Sequence, residues 1–219
     1  MQRFLFIFSF LIFSGCSDQS QAISSASTLG FPDLFEKNSK EVELLLQAKA
    51  EEALEFCKAE NFNTDYAILI DMSIHSGKHR MFVYDFNNQK VERSALCAHG
   101  IGKGEQSSTE TEPLFSNVEG SLLSSLGKYR VGIRSYSQWG INVHYKLHGL
   151  EPTNSKAFQR IIVLHSYTPV SAEEIYPSHM PLGWSQGCPV SDDETMSYLD
   201  QKFQKTSKPV LLWIYNGDA

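Results

Sequence analysis

After residue 65 the chain is cut into short apolar runs of strand length, and no regular alternation of strand and helix connects them. Residues 66–70 form the first run. Residues 80–85 and 91–97 follow on either side of Asn87-Asn88, which reads as the turn of a hairpin. Residues 128–134, 141–147, 160–164 and 209–215 have the same character. One helix interrupts them: Ser191 and Glu194 make a capping box, and Met196, Leu199 and Phe203 fall on one helical face. The pattern predicts a mainly β fold with flanking helices, curved into a sandwich or partial barrel.

The residues before this region divide into three parts. Residues 38–60 read as an amphipathic helix, capped by Asn38 with Glu41 three residues on. Its stripe is Val42, Leu45, Leu46, Ala50, Ala53, Leu54 and Cys57, which packs on the main domain or on a partner. Residues 1–15 combine Arg3, a nearly continuous apolar run over 4–13 and the small pair Ser14-Gly15, as in a secretory signal peptide. The run is too short to span a bilayer. Small residues before Cys16 resemble a bacterial lipobox, which implies a lipidated Cys16 followed by a flexible tether over 16–37. Ser17 follows Cys16 with no Asp, which by analogy with lipoproteins points to the periplasmic face of the outer membrane. Residues 61–219 are then the main domain.

The formal net charge of −6 excludes a broad basic face, so nucleic acid is not an expected partner. The four cysteines are Cys16, Cys57, Cys97 and Cys188. Cys57 and Cys97 could bridge in an oxidising compartment, but the preferred reading is two small buried hydrophobes. No spacing of the C-x-x-C or H-E-x-x-H kind is present, so no metal site is expected.

Cys188 is the candidate nucleophile. It follows Gly187 in Ser185-Gln186-Gly187-Cys188-Pro189, a turn that lets a backbone approach closely. The main-chain N–H groups of Gly187 and Cys188 could face a developing oxyanion, and the helix start just beyond could favour thiolate. A structural cysteine in a tight turn fits the local sequence equally well. A base must come from seven histidines. His165 and His148 each close an apolar run and rank first and second. His99 and His179 come next, and His75 and His79 read as solvated residues flanking a turn.

Taken together, these blocks resemble the L,D-transpeptidase catalytic domain, the YkuD-like family, in its murein L,D-transpeptidase branch. The resemblance runs from about Ala67 to Tyr215. It rests on Asp71-Met72-Ser73, Ala98-His99-Gly100, Phe115-Ser116-Asn117, Ser124-Ser125-Leu126-Gly127, Leu147-His148-Gly149 with Asn154, Arg160 through His165, and Leu182 through Pro189. It implies a β-rich domain with Cys188 as nucleophile, His165 as base, and Ser185 and Gly187 shaping the oxyanion turn. Ser166, through its main chain or hydroxyl, would orient the imidazole. His148, Gly149, Arg160, Asn117, Trp184 and Gln186 are candidates for contacting substrate. Well-known members have His where Gln186 stands and a basic or amide residue soon after the Cys, where this chain reads Pro189-Val190. Arg160 or Arg134 could replace that charge.

The implied reaction uses no cofactor. A Cys thioester forms on a peptidoglycan stem peptide, and a second stem resolves it into a 3–3 cross-link. With water as acceptor the same site is an L,D-carboxypeptidase. Two other classes stay open: a cysteine acyltransferase acting on proteins, and a catalytically silent lipid-anchored wall-binding module. The order His before Cys argues against NlpC/P60 and papain-like peptidases. The lack of Arg after Cys188 argues against sortases.

Overall fold

The computed structural model describes residues 39–217. The expected signal peptide, Cys16, the tether and the Asn38 cap lie outside the described residues. Helix α1 (Ser39–Ala59) leads into β1 (Tyr66–Asp71), β2 (Met81–Asp85) and β3 (Lys90–Ala95). A small hairpin of β4 (Gly102–Lys103) and β5 (Gln106–Ser107) follows. Then come β6 (Gly127–Tyr136), β7 (Val143–Gly149), β8 (Val163–Ser166), β9 (Val190–Ser191), α2 (Asp193–Phe203) and β10 (Leu211–Tyr215).

Among the described residues eight strands form one sheet in the order β3-β2-β1-β10-β6-β7-β8-β9. β1 runs parallel to β10 with Ile68 opposite Leu212, and β8 runs parallel to β9 with His165 opposite Val190. Beyond β3, Ala98 makes an antiparallel bridge to Val190, its N–H donating to the Val190 carbonyl at 2.9 Å. The two ends of the sheet are thereby tied together, and the fold is a mainly β, nearly closed barrel with two flanking helices.

Side-chain alternation assigns each strand face to a core. Ile68, Ile70, Val83, Tyr129, Leu147, Leu212 and Ile214 enter an inner core closed by Met196, Leu199 and Phe203 of α2. Ala67, Leu69, Phe82, Tyr84, Leu211, Trp213 and Tyr215 face an outer core under Leu46, Ala50, Ala53 and Cys57 of α1. β1 and β10 are buried on both faces, which is why they read as unbroken apolar runs. Helix α1 therefore packs on its own domain. Cys57 and Cys97 are both free and buried, one in the outer core and one in the inner. Burial pushes their thiols up to about 12 and about 11.

The expected β2–β3 hairpin forms, with a four-residue loop in which the Asp85 carboxylate accepts from the N–H groups of Asn87 and Asn88, and Gln89 takes the left-handed position at φ 50°. Two local expectations change. The run at 160–164 is not all strand. Ile161 has φ 58° and ends a turn whose N–H groups bond back to Phe158 and Ala157, so β8 begins only at Val163. His165 and Ser166 consequently lie inside a strand rather than beyond one. Finally, Asp192, not Ser191, caps α2, accepting from the Thr195 N–H at 2.7 Å, while Ser191 pairs with Ser166 in the sheet.

Candidate active site

β8 places the first two chemical groups. The Val163 N–H donates to Cys188 Sγ at 3.4 Å. His165, two residues along the same strand, shares the face of Val163. Both line a cavity of about 610 Å³ together with Cys188. The turn that presents Cys188 is braced from within. Ser185 Oγ accepts from the Gly187 N–H at 3.0 Å and donates to the Cys188 carbonyl at 2.6 Å. Gly187 sits at φ 114°, and a Cβ there would come within 2.7 Å of the Leu123 carbonyl oxygen. Only glycine fits without strain. The Gly187 N–H, expected to face an oxyanion, is spent on Ser185.

The tautomer of His165 follows from its partner. Nδ1 lies 2.9 Å from the Ser166 carbonyl, which can only accept, so Nδ1 carries the proton and Nε2 is left as an acceptor. The main chain of Ser166 therefore orients the ring. Its hydroxyl instead accepts from the Ile141 N–H at 3.1 Å and holds the β6–β7 loop. Enclosure pushes His165 below the ordinary histidine range, helped by His144 and opposed by the Ser166 carbonyl. Cys188 is partly exposed to the cavity, yet enclosure pushes its thiol up, against the Val163 N–H and the Arg160 charge. The helix terminus expected to favour thiolate is separated from the sulfur by β9 and capped by the Asp192 carboxylate.

The other histidines are spread through the structure. His148 stacks on Phe158 with centroids 4.7 Å apart and lines a different hollow. His99 accepts from Arg80 at Nδ1 and donates from Nε2 to the Thr109 carbonyl, and burial beside Arg80 holds it down at about 4. His179 contacts Ser76 Oγ and stacks on His75 at 3.7 Å. His79 uses both ring nitrogens, on Ser94 Oγ and the Ala172 carbonyl. His75 and His79 are thus half-buried in packed turns rather than solvated. His144 is the one that sequence ranking missed: it lies opposite His165 in the β7–β8 register and lines the same cavity. Its signal is the alternation of β7, which buries Val143, Tyr145 and Leu147 and turns His144 to the other face.

Trp184 and Gln186 line the cavity, joined by the aromatic residues Tyr136, Trp139 and Tyr167. Trp139 and Trp184 each meet Tyr167 edge-on, at 5.6 and 5.8 Å. Among the described residues no Asp, Glu, Lys or Arg lines it. The remaining candidates lie elsewhere. Asn117 ties its loop to Pro152, Ser155 and Lys156. Gly149 packs against the Asn154 main chain, where a Cβ would come within 1.9 Å of the carbonyl oxygen. Arg134 is bidentate to Asp200. Arg160 sits behind the Cys188 turn, its guanidinium bonded to the Ser116–Ser125 segment. A second hollow of about 630 Å³, around Tyr66, Tyr198 and Lys202, contains none of the candidate residues. Among the described residues no cluster of three His, Cys, Asp or Glu is placed to hold a metal, and no helix is long and apolar enough to cross a membrane.

The family description "L,D-transpeptidase catalytic domain" matches residues 38–215. No curated protein matches the chain. Solved structures that resemble it include the L,D-transpeptidase of Xylanimonas cellulosilytica, at 11% identity and a TM-score of 0.39, covering 68% of this chain and 60% of that one. The helical cell shape determining protein Pgp2 of Campylobacter jejuni is 15% identical with a TM-score of 0.42, covering 70% and 48%. Bd1075 of Bdellovibrio bacteriovorus is 15% identical with a TM-score of 0.43, covering 72% and 50%. The chain thus spans about half to three fifths of the lengths of these proteins.

Proposed function

Because the chain belongs to the L,D-transpeptidase catalytic domain family, we propose that it is a cysteine acyltransferase of peptidoglycan stem peptides, with Cys188 as nucleophile and His165 as general base. The observation that carries this reading is the geometry on β8. One main-chain N–H holds the sulfur at Val163, and two residues on His165 keeps a free Nε2 in the same cavity.

In the proposed reaction the cysteine sulfur attacks the carbonyl of the third stem residue, at its L-centre, and His165 Nε2 takes the thiol proton as the C–S bond forms. With the Gly187 N–H taken up by Ser185, the Cys188 N–H is the proposed donor to the oxyanion. Collapse expels D-Ala, whose amine takes the proton back from His165, and leaves a thioester. An amine of a neighbouring stem then attacks the thioester, gives its proton to His165, and releases the thiol and a 3–3 cross-linked product. No cofactor enters. The aromatic wall of Trp139, Tyr167 and Trp184 suits the apolar surface of the stem and helps exclude water from the thioester.

The test is product analysis by mass spectrometry with a tetrapeptide donor and an acceptor stem. Transpeptidation predicts free D-Ala and a cross-linked dimer. A tripeptide without dimer would assign the chain to L,D-carboxypeptidation, and no conversion would leave a wall-binding module. The proposal includes lipidation of Cys16 and residence on the periplasmic face of the outer membrane, supported by the charge, apolar run and small residues that precede Cys16. Labelling by a fatty-acid probe that disappears in Cys16→Ser is the expected result. An unlabelled wild-type chain would remove that part.

A further inference from the structure

Arg160 lies in the turn before β8 and is a cation surrounded by neutral acceptors. Nη1 donates to the Ser116 carbonyl at 2.7 Å and to Ser125 Oγ at 2.5 Å. Nη2 donates to the Leu123 carbonyl at 2.5 Å and to Ser121 Oγ at 3.3 Å. These bonds use both ends of the guanidinium fork, which leaves it poorly placed to clamp a substrate carboxylate. Two other arginines are matched with acids, Arg134 with Asp200 and Arg93 with Glu194, whereas the buried Arg80, like Arg160, bonds to main-chain carbonyls and a neutral side chain. Among the described residues no Asp or Glu forms an ion pair with Arg160.

The guanidinium lies against the nucleophile turn. A Cβ on Gly187 would come within 3.3 Å of Arg160 Nη2. The groups facing Arg160 that can become anions are Tyr129 and Cys188. Tyr129 is fully enclosed and donates its hydroxyl to the Ser125 carbonyl at 2.7 Å, and burial pushes it above the ordinary phenol range, so it stays neutral. That leaves the Cys188 sulfur. A half-buried cation without a counter-ion is costly, and the cost falls when a neighbouring group ionises. The other groups at the sulfur are the neutral Val163 N–H and the Ile161 carbonyl, which accepts from the thiol at 3.9 Å, while His165 and His144, both held below the ordinary histidine range, line the same cavity.

We propose that Arg160 is a positioning residue with an electrostatic role. Pinned by the Ser116–Ser125 segment behind the turn, it supplies the positive charge that stabilises the Cys188 thiolate and the anion that follows from it. It fills the part that the sequence pattern assigns to the start of α2, and it acts from behind the turn rather than as a contact to substrate. The inference rests on Cys188 being the nucleophile.

The deciding experiment is the pH dependence of Cys188 alkylation by iodoacetamide in the full chain, read by peptide mass spectrometry. The thiolate displaces iodide and forms a thioether, so the rate follows the thiolate fraction. In Arg160→Gln the midpoint rises by about one unit or more, which slows alkylation about tenfold at neutral pH. Arg160→Lys keeps the charge but not the fork, and its midpoint stays within about half a unit of wild type. Ser121→Ala removes one contact and no charge and leaves the midpoint in place. Superimposable wild-type and Arg160→Gln profiles would overturn the proposal, as would an Arg160→Lys profile raised as far as the Gln one. If Arg160→Gln does not fold by circular dichroism, the Lys variant decides: a midpoint within that half unit supports the charge role, and a larger rise overturns it. A wild-type chain with this thiol behaviour but no product from stem peptides would remove the transpeptidase reading and leave the role of Arg160 standing.

Discussion

In the proposed reaction Cys188 and His165 start uncharged. Enclosure places His165 below its ordinary pKa and Cys188 above its own. In that reaction the proton moves as the C–S bond forms. His165 must be neutral to accept, so kcat/KM falls only as pH drops through its lowered pKa, and the acid limb lies below the ordinary 6.5. A limb centred at or above 6.5 would contradict the assignment. His165→Ala should lose roughly 10²–10⁴-fold in turnover. His148→Ala should stay close to wild type, since that ring is stacked on Phe158 outside the cavity. A larger loss from His148→Ala would exchange the two roles. Cys188 and His165 were legible as candidates because a Gly-Cys turn and a histidine after an apolar run are local signals. The spending of the Gly187 N–H on Ser185 and the retreat of Arg160 behind the turn were not legible. Both depend on which of several nearby acceptors wins in three dimensions.

The elements carry the site by keeping short segments in register. β8 and β9 pair over only two positions, yet that pairing sets His165 opposite Val190, two residues after the cysteine. Ser191 reads as the helix cap because Ser-x-x-Glu is a good capping box. The sheet claims Ser191, and the next residue, Asp192, does the capping. Asp192→Ala should cost about 1 kcal/mol, within a range of 0.5–2, in urea denaturation. Ser191→Ala should cost less than Asp192→Ala; the reverse order would restore the cap to Ser191. The start of β8 is displaced from its expected place for a similar reason. Ile161 and Ile162 look like strand residues, but Ile161 adopts a left-handed turn conformation that apolarity cannot reveal. Gly187→Ala should weaken the fold by about 1–3 kcal/mol, the range for a non-glycine residue forced into such a region. Unchanged stability would mean that the turn can relax away from Leu123.

On the scale of the whole molecule the sheet has an inner core under α2 and an outer core under α1. The strands themselves were largely readable from alternation. Closure of the barrel was not, because the Ala98–Val190 bridge joins residues far apart in sequence that carry no mark of each other. Ala53 is fully buried in the outer core. Ala53→Asp should leave the chain largely unfolded by circular dichroism, since an unpaired charge there has no partner. A native spectrum would show that α1 can lift away. The proposed function requires that Cys188 become acylated by a stem peptide. Its most direct test is intact-protein mass spectrometry of the full chain mixed with a stem tetrapeptide and quenched in acid. The expected result is one adduct with the mass of the donor minus D-Ala, mapped to Cys188, released by hydroxylamine and missing from Cys188→Ala. Cross-linked product formed equally by Cys188→Ala, with no adduct on the wild-type chain, would contradict it.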